Sequence, residues 1–346
     1  LTLFFSVLSY YLIEKPFRSR RVPRWVLISV LLLASCVVIF VSLYWIKGDG
    51  IPSRGSYVRD LVQSNQTIMV RQNGKACRSN PEAGEAVEVA ESCIFEYSPG
   101  SPTLVLVGDS HANAIAESVR VLARTNKLNY VHVTQVACPH VSKQRGACSK
   151  RDEALKSFLT TLDSPTIIYS ARLPLYIERE PFYNPEAKLE TDDEILRARK
   201  SLKFLYPDHV SENVVETLNG WVDDGYGLLI VYPVPEQGFQ AALNLILAFP
   251  FASNTDQLPT LSTSYAVYKK RVASSYAALD KVVGSKVRRV YPEKIFCREE
   301  TGRCVASEYD RLYFPNDNHL GPLGADLVVR EVAERLQLQI PDSFRK

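Results

Sequence analysis

The chain has 346 residues, a formal net charge of +3 and seven cysteines, and this length allows one large domain or two small ones. The positive charge is concentrated in residues 14–24, where five basic residues accompany one acid, so that residues 48–346 sum to about −2. This distribution, together with the lack of a basic and aromatic surface pattern, argues against nucleic acid as a partner.

Two apolar segments lie on either side of the basic stretch. Residues 1–13 are uncharged and too short to cross a bilayer alone, but they fit the end of a longer transmembrane helix. Residues 25–46 are also uncharged, and a helix of this length rises about 33 Å, enough for a hydrocarbon core of about 30 Å. A buried soluble helix is the alternative, although few soluble helices are apolar on every face. Because Lys and Arg stay on the cytoplasmic side, 14–24 is predicted as a cytoplasmic connector and 48–346 as extracytoplasmic.

The cysteines agree with an oxidising compartment, because six of them form three couples that are close in sequence. The couples are Cys77 with Cys93, Cys138 with Cys148, and Cys297 with Cys304. Each couple predicts a local disulfide. Zinc is the competing interpretation, but no couple has the two-residue spacing of zinc ligands and His140 is the only imidazole close by. No metal site is therefore predicted.

Residues 47–102 predict a linker and a disulfide-stapled extension with little regular structure. From residue 103 onward, short apolar runs alternate with segments of helical periodicity. Strands are predicted at 102–108, 129–136, 166–171, 227–235 and 286–292, and helices at 113–126, 152–162, 191–205, 211–225, 264–283 and 321–339. This alternation predicts an α/β domain over 103–346, with a parallel sheet and helices on both of its faces.

Residues 106–112 read LVGDSHA and place Ser110 where the first strand ends and a helix begins. A hydroxyl at that turn lies at the carboxyl end of the sheet, where open α/β folds bind ligands, and free N–H groups of the helix face the same place. The position suits a serine nucleophile, which needs a base. His319 is the best candidate, because it lies in the polar turn before the last helix with Asn316 and Asp317 beside it as possible orienting groups.

These motifs resemble known sequence blocks. LVGDSHA and DNHLGPLGA (317–325) resemble the first and last blocks of the SGNH hydrolase superfamily. YYLIEKPFR (10–18), followed by one apolar segment, resembles the end of an acyltransferase family 3 (AT3) membrane domain. The order of the two resembles the fused O-antigen and surface-polysaccharide O-acetyltransferases of Gram-negative bacteria, and ACPHVSKQRGAC (137–148) and FCREETGRC (296–304) are similar to that subgroup.

The resemblance implies a flavodoxin-like, three-layer SGNH fold with Ser110 as nucleophile and His319 as base. It further implies that the backbone N–H of Ser110 is one oxyanion donor. Ala137 stands where the superfamily has a glycine that supplies a second donor, and Arg172 stands about where the superfamily has an asparagine that supplies a third.

The superfamily places the acid of its triad three residues before the histidine, and this chain has Asn316 there. Asp317 is one position away. A carboxylate stabilises an imidazolium much better than an amide does, and in serine proteases that exchange costs about four orders of magnitude in rate. We therefore expect Asp317 to orient His319, while Asn316, or a site that works as a dyad, is the alternative.

The function that the resemblance implies is transfer of acetyl or other acyl groups to hydroxyls of an extracytoplasmic polysaccharide such as lipopolysaccharide O-antigen. The protein would be a multi-pass inner-membrane protein with a periplasmic SGNH domain and no bound cofactor. Its partners would be its own N-terminal AT3 membrane domain, which would use an acetyl donor such as cytoplasmic acetyl-CoA, the lipid bilayer and the polysaccharide. The alternatives are a carbohydrate acetyl esterase and a non-catalytic glycan-binding module.

Overall fold

The computed structural model describes residues 6–7, 10–15, 23–47, 56–84, 86–143, 147–186, 209–249 and 251–345. The chain divides into two compact units, Leu1–Ser56 and Tyr57–Lys346. The predicted helix at 191–205 lies outside the described residues.

The first unit contains a π-helical turn at Tyr10–Glu14 and the long helix α1 at Arg24–Lys47. Within the described part of the chain, no helix is both long enough and apolar enough to cross a membrane. The membrane span predicted at 25–46 is therefore not confirmed. Cys36, which lies in α1, is a free and exposed thiol.

The second unit is built from short strands and longer helices. Its strands are β1 Arg71–Gln72, β2 Lys75–Ala76, β3 Cys93–Phe95, β4 Thr103–Gly108, β5 Asn129–Thr134, β6 Thr166–Ser170, β7 Gly227–Val231, β8 Leu261–Ser264, β9 Val287–Val290, β10 Cys297–Arg298, β11 Arg303–Glu308 and β12 Arg311–Leu312. Its helices are α2 Ser56–Ser64, α3 Ser110–Thr125, α4 Ala147–Leu159, α5 Leu173–Glu178, α6 Val210–Asp223, α7 Ala241–Ala248, α8 Tyr265–Leu279, α9 Glu293–Phe296 and α10 Pro322–Leu336.

The central sheet has six strands in the order β3-β5-β4-β6-β7-β9, and all neighbours are parallel except β3 and β5. Successive strand residues point to opposite faces, so Leu106 packs in one hydrophobic core and Val107 in the other. Helices α3 and α10 contribute to the first core, and α4 and α6 to the second. The predicted three-layer α/β architecture is confirmed.

Strand β4 lies at the point where the chain reverses its direction across the sheet. From β4 the chain continues to β5 on one side, and it then crosses to β6 on the other side of β4. In open α/β folds the crevice at such a reversal, at the carboxyl ends of the strands, is where ligands bind. The turn that follows β4 carries Ser110 at this place.

The extension before residue 103 is more ordered than its sequence predicts. Residues 57–102 belong to the same compact unit as the sheet, and β3 forms its antiparallel edge. Val58 and Val70 are buried in the first core. Residues 57–102 thus pack together with the sheet, and the domain boundary at 103 stays a prediction. Isolated apolar residues and a strand of three residues are too short to show a periodic pattern, which explains the difference.

A second, antiparallel sheet of β8, β10, β11 and β12 was not predicted either, because its strands are mostly two to four residues long. The three predicted disulfides are confirmed. They are Cys77–Cys93, Cys138–Cys148 and Cys297–Cys304. The last one joins opposite positions of β10 and β11.

Candidate active site

The turn that holds Ser110 depends on the glycine before it. Gly108 ends β4 with φ +147°, and a Cβ there would lie 1.8 Å from the carbonyl oxygen of Ser170 in β6. Only glycine accepts both this backbone conformation and this close approach. The chain can therefore pass from β4 directly into α3, with Ser110 as the first residue of that helix.

Asp109 connects this turn to the neighbouring strand. Its fully buried carboxylate caps α3 by accepting a hydrogen bond from the backbone N–H of His111 at 2.8 Å. It also accepts one from the backbone N–H of Arg172 at 2.9 Å and one from the hydroxyl of Tyr176. Burial raises the pKa of Asp109, and these three hydrogen bonds oppose the rise. The carboxylate thereby holds the ends of β4 and β6 together around Ser110.

His319 reaches Ser110 from the turn between β12 and α10. Its Nε2 lies 2.8 Å from the Ser110 Oγ, and its Nδ1 lies 3.2 Å from the Asn316 Oδ1. The same amide oxygen accepts the backbone N–H groups of Asn318, at 3.1 Å, and of His319, at 2.8 Å. Because those two donors identify this atom as the oxygen, Nδ1 must carry the ring proton. Nε2 therefore presents its lone pair to the serine hydroxyl, as a general base requires.

The surroundings of His319 keep the imidazole neutral. Burial lowers the pKa of His319, the neighbouring His111 and Arg172 lower it further to about 3, and Asp109 and Asp317 oppose the decrease. Burial and Arg172 also lower the pKa of His111, to about 4. At neutral pH the base is therefore already unprotonated.

Asp317, the predicted orienting group, faces away from the imidazole. Its carboxylate accepts hydrogen bonds from the Asn318 Nδ2 at 2.7 Å and the Gln240 Nε2 at 3.3 Å. The expectation that Asp317 orients His319 is therefore corrected in favour of Asn316. Backbone hydrogen bonds hold Asp317 in this position. Its carbonyl accepts the N–H groups of Gln237, at 2.6 Å, and of Gly238, at 3.1 Å.

Asn318 links the histidine turn to the serine turn. Its Nδ2 donates to a carboxylate oxygen of Asp317, so its Oδ1 is an acceptor and the His111 Nε2, 2.9 Å away, must donate to it. The rings of His111 and His319 also pack edge to face, with centroids 5.2 Å apart. The two turns are thereby held in one network on either side of Ser110 and His319.

The structure places the candidate oxyanion donors in different situations. Ser110 begins α3, where N–H groups lack partners within the helix. Ala137 follows β5 and has φ +53°, a conformation that favours glycine, which gives a physical reason for a glycine at this position in the superfamily. The backbone N–H of Arg172 already donates to Asp109. For Arg172, only the guanidinium is left to act on a substrate.

Glu236 holds that guanidinium, and sequence reasoning missed it. Its buried carboxylate accepts the Nε of Arg172 at 2.6 Å and the Nε of Arg271 at 2.9 Å. Burial acts to raise the pKa of Glu236, but the charges of the two arginines lower it to about 2. The available signal was an acid that directly follows the strand predicted at 227–235, five residues after β7 itself ends at Val231. Asp109, within LVGDSHA, and Tyr176 were also missed.

A separate cavity of about 510 Å³ lies between α4 and α6. Its lining includes His140, Asp152 and Trp221 but neither Ser110 nor His319. The His140 Nδ1 lies 3.5 Å from the Asp152 Oδ1. This cavity is not part of the site around Ser110.

A serine hydroxyl hydrogen-bonded to a neutral imidazole, at the carboxyl edge of a parallel sheet, is an arrangement found in enzymes that use a serine nucleophile on acyl groups. Residues 76–334 match the family model of the SGNH domain (fused to AT3 domains), and the chain belongs to this family. No curated protein matches the chain.

Two solved structures are similar to the chain at low sequence identity. One is the periplasmic domain of a lipopolysaccharide acetyltransferase from Salmonella ser. Paratyphi A, with 14% identity, a TM-score of 0.49, and coverage of 82% of this chain and 96% of that chain. The other is a GDSL-like lipase from Bacteroides thetaiotaomicron, with 10% identity, a TM-score of 0.38, and coverage of 70% and 92%.

Proposed function

We propose that the chain transfers acetyl groups to hydroxyls of an extracytoplasmic polysaccharide such as lipopolysaccharide O-antigen. Ser110 would accept the acetyl group and then pass it on. The observation that carries this proposal is the 2.8 Å contact between the Ser110 Oγ and the His319 Nε2, with the ring proton held on Nδ1 by Asn316. Membership of a family of SGNH domains fused to AT3 domains supports transfer to a sugar over simple hydrolysis.

In the first half-reaction, the Ser110 Oγ attacks the carbonyl carbon of the acetyl donor while the His319 Nε2 takes its proton. The oxyanion that forms receives the backbone N–H of Ser110 at the start of α3, with the N–H of Ala137 and the guanidinium of Arg172 as further proposed donors. The imidazolium then returns the proton to the leaving group as the bond to the donor breaks. The product is acetyl-Ser110.

In the second half-reaction, a sugar hydroxyl gives its proton to Nε2 as its oxygen attacks the acetyl carbon. The ester bond to Ser110 breaks, and the serine oxygen takes the proton back from His319. Water in place of the sugar would make the same site a carbohydrate acetyl esterase.

The proposal includes a membrane partner. An N-terminal AT3 domain of the same protein would take acetyl from a cytoplasmic donor such as acetyl-CoA and deliver it across the inner membrane, so that the SGNH domain works in the periplasm. The three disulfides of the second unit are consistent with that compartment.

Intact-protein mass spectrometry after incubation with p-nitrophenyl acetate tests the serine. We expect the chain to gain one acetyl group on Ser110, and Ser110→Ala and His319→Ala to remain unacetylated. Ser285→Ala, which changes an exposed serine outside the site, is the matched control and should be acetylated like the unaltered chain.

Adding the polysaccharide of the native strain, freed of its O-acetyl groups by mild base, tests the acceptor. The acetyl group should leave Ser110 and appear on the glycan. Acetate alone would identify an esterase, and acetylation of Ser110→Ala would end the assignment of Ser110.

A further inference from the structure

A pocket of about 430 Å³ lies on the face formed by the segment after α5 and by α8. We call it the aromatic pocket, and its lining includes Phe182, Tyr183, Glu178, Lys270 and Arg271. Tyr183 is 45% exposed, although it is a large aromatic side chain. Pockets of this volume are typical of sites that hold small organic groups.

The segment that carries Phe182 and Tyr183 is held in place by hydrogen bonds from the residues that follow them. Asn184 is buried, and its Nδ2 donates to the carbonyl of Gln237 at 2.6 Å and to the Thr263 Oγ1 at 3.1 Å. Glu186, two residues on, pairs with the Arg303 guanidinium through two hydrogen bonds of 3.0 and 2.9 Å. Phe182 and Tyr183 are therefore pre-organised, which lowers the entropy cost of binding a ligand.

The same segment is connected to the histidine turn through Gln237 and Gly238. Gln237, which Asn184 holds, and Gly238 both donate their backbone N–H groups to the carbonyl of Asp317, at 2.6 and 3.1 Å. Gly238 packs so closely on the segment that a Cβ would lie 2.5 Å from Asn184 and 3.0 Å from Phe182. Asp317 precedes His319 by two residues, so this wall of the aromatic pocket and the base share one hydrogen-bonded support.

A second connection runs through buried charges. Arg271, which lines the aromatic pocket, donates to Glu236, and Glu236 accepts Arg172 from the site around Ser110. The guanidinium carbon of Arg271 also lies 5.8 Å from the centroid of the Phe182 ring. The pocket is thus connected to the site around Ser110 by two sets of contacts, which run through the neighbouring residues Glu236 and Gln237.

The chemistry of the lining identifies the ligand class. A flat aromatic face provides apolar area for the C–H face of a sugar ring. Lys270 and Arg271 are balanced by Glu178 and Glu180 in the same lining, so the charges offer hydrogen bonds to hydroxyls without selecting an anion. We propose that the aromatic pocket binds an uncharged sugar ring of the acceptor polysaccharide and aligns a neighbouring hydroxyl with acetyl-Ser110. This proposal rests on the proposed function.

Equilibrium binding in a Ser110→Ala background tests the pocket without requiring catalysis. The full chain is titrated against the de-O-acetylated polysaccharide of the native strain, labelled with a fluorophore, and binding is followed by fluorescence polarisation. We expect Tyr183→Ala to raise the Kd about tenfold, as loss of one stacked ring implies. Tyr183→Phe keeps the ring and should stay within about twofold.

Tyr309→Ala is the matched control, because it removes an exposed tyrosine outside the pocket lining, 60% exposed against 45% for Tyr183. Its Kd should match that of the parent chain, and all variants should keep the parent's thermal midpoint. An unchanged Kd in Tyr183→Ala, an equal loss in Tyr309→Ala, or no binding by the parent would overturn the proposal. A Kd that rises strongly with added salt would indicate an anionic sugar and would also overturn the proposal. Failure of the proposed function is measured separately in the chain with its serine intact, as the absence of an acetyl group on Ser110 after incubation with p-nitrophenyl acetate.

Discussion

The two turns that meet at the site are stabilised by different chemical groups. The serine turn is held by a buried carboxylate, because Asp109 accepts three hydrogen bonds from groups around β4, α3 and β6. The histidine turn is held by a neutral amide, because the Asn316 Oδ1 accepts two backbone N–H groups and the ring Nδ1–H. The negative charge therefore supports the nucleophile's backbone, and an uncharged oxygen orients the base.

This difference has a chemical consequence. An amide fixes the tautomer of His319 but stabilises the imidazolium much less than a carboxylate does. Burial, followed by the charges of His111 and Arg172, lowers the pKa of His319 to about 3. The base is always available near neutral pH, but it is a weak base. Chemistry at Ser110 therefore depends on geometry more than on proton affinity.

Asp109→Asn is expected to have the largest effect, because it removes the negative charge that holds the serine turn. The new amide nitrogen would face the backbone N–H of Arg172 or that of His111, so one buried donor would lose its acceptor. We expect the free energy of unfolding to fall by about 1–3 kcal/mol. We also expect kcat/KM for p-nitrophenyl acetate to fall about 100-fold as the serine turn shifts. Urea unfolding and steady-state kinetics measure the two effects.

Asp326→Asn is the matched control for that change. Asp326 in α10 also carries a partly buried carboxylate, to which the Ser118 hydroxyl donates at 2.7 Å. Burial raises the pKa of Asp326 to about 6, so its neutral form, and hence an amide, is tolerated there. The rate should stay at the level of the unaltered chain. A loss as large as that in Asp109→Asn would mean that any carboxylate change in this region disturbs the site.

Asn316→Asp makes the two turns alike by giving the base its own carboxylate. The new charge would lie beside Nδ1, where Asn316 now accepts at 3.2 Å, and would stabilise the imidazolium in the transition state. We expect kcat/KM at pH 8 to rise about tenfold. Asn316→Ala should instead lower it, because Nδ1 loses its acceptor. A decrease in Asn316→Asp would contradict the assigned role of the amide.

Sequence patterns were sufficient to select Ser110 and His319, whose side chains lie within hydrogen-bonding distance, but not to find the groups around them. Ser110 and His319 both lie in short motifs at the ends of regular elements, so strand, turn and helix signals locate them. Buried parallel strands such as β4 and β7 are apolar runs that are visible without a structure. The direction of the Asp317 side chain could not be predicted, because its backbone carbonyl and its carboxylate bond to Gln237 and Gln240, which are far away in the chain.

The role of Asp109 in the serine turn also depends on residues that are distant in the sequence. The motif LVGDSHA places Asp109 directly before Ser110. Its hydrogen-bond partners Arg172 and Tyr176, however, come after β6. Glu236 could be suspected only from its place after a buried strand. Most strands of the second sheet, such as β10 with two residues, are too short to show a periodic pattern.

The pH dependence of the unaltered chain follows from the depressed pKa of His319. A histidine with a pKa of about 3 stays unprotonated above that value, so the base is lost only as the pH falls towards 3. We expect kcat/KM for p-nitrophenyl acetate to change less than about twofold between pH 5 and pH 8. In Asn316→Asp the carboxylate raises the pKa, so the acid limb should move towards neutral pH. An acid limb near pH 6.5 in the unaltered chain would contradict the burial of the imidazole.

Asp317→Asn should have the smallest effect, and it separates the observed site from one in which Asp317 serves as the acid. The carboxylate accepts hydrogen bonds from Asn318 and Gln240, and an amide oxygen can keep one of them. The backbone carbonyl that anchors the turn to Gln237 is untouched by the substitution. We expect kcat/KM to stay within about twofold, because the charge of Asp317 is only a minor influence on the pKa of His319. A loss of several orders of magnitude would show instead that Asp317 acts as the acid partner of His319 during turnover.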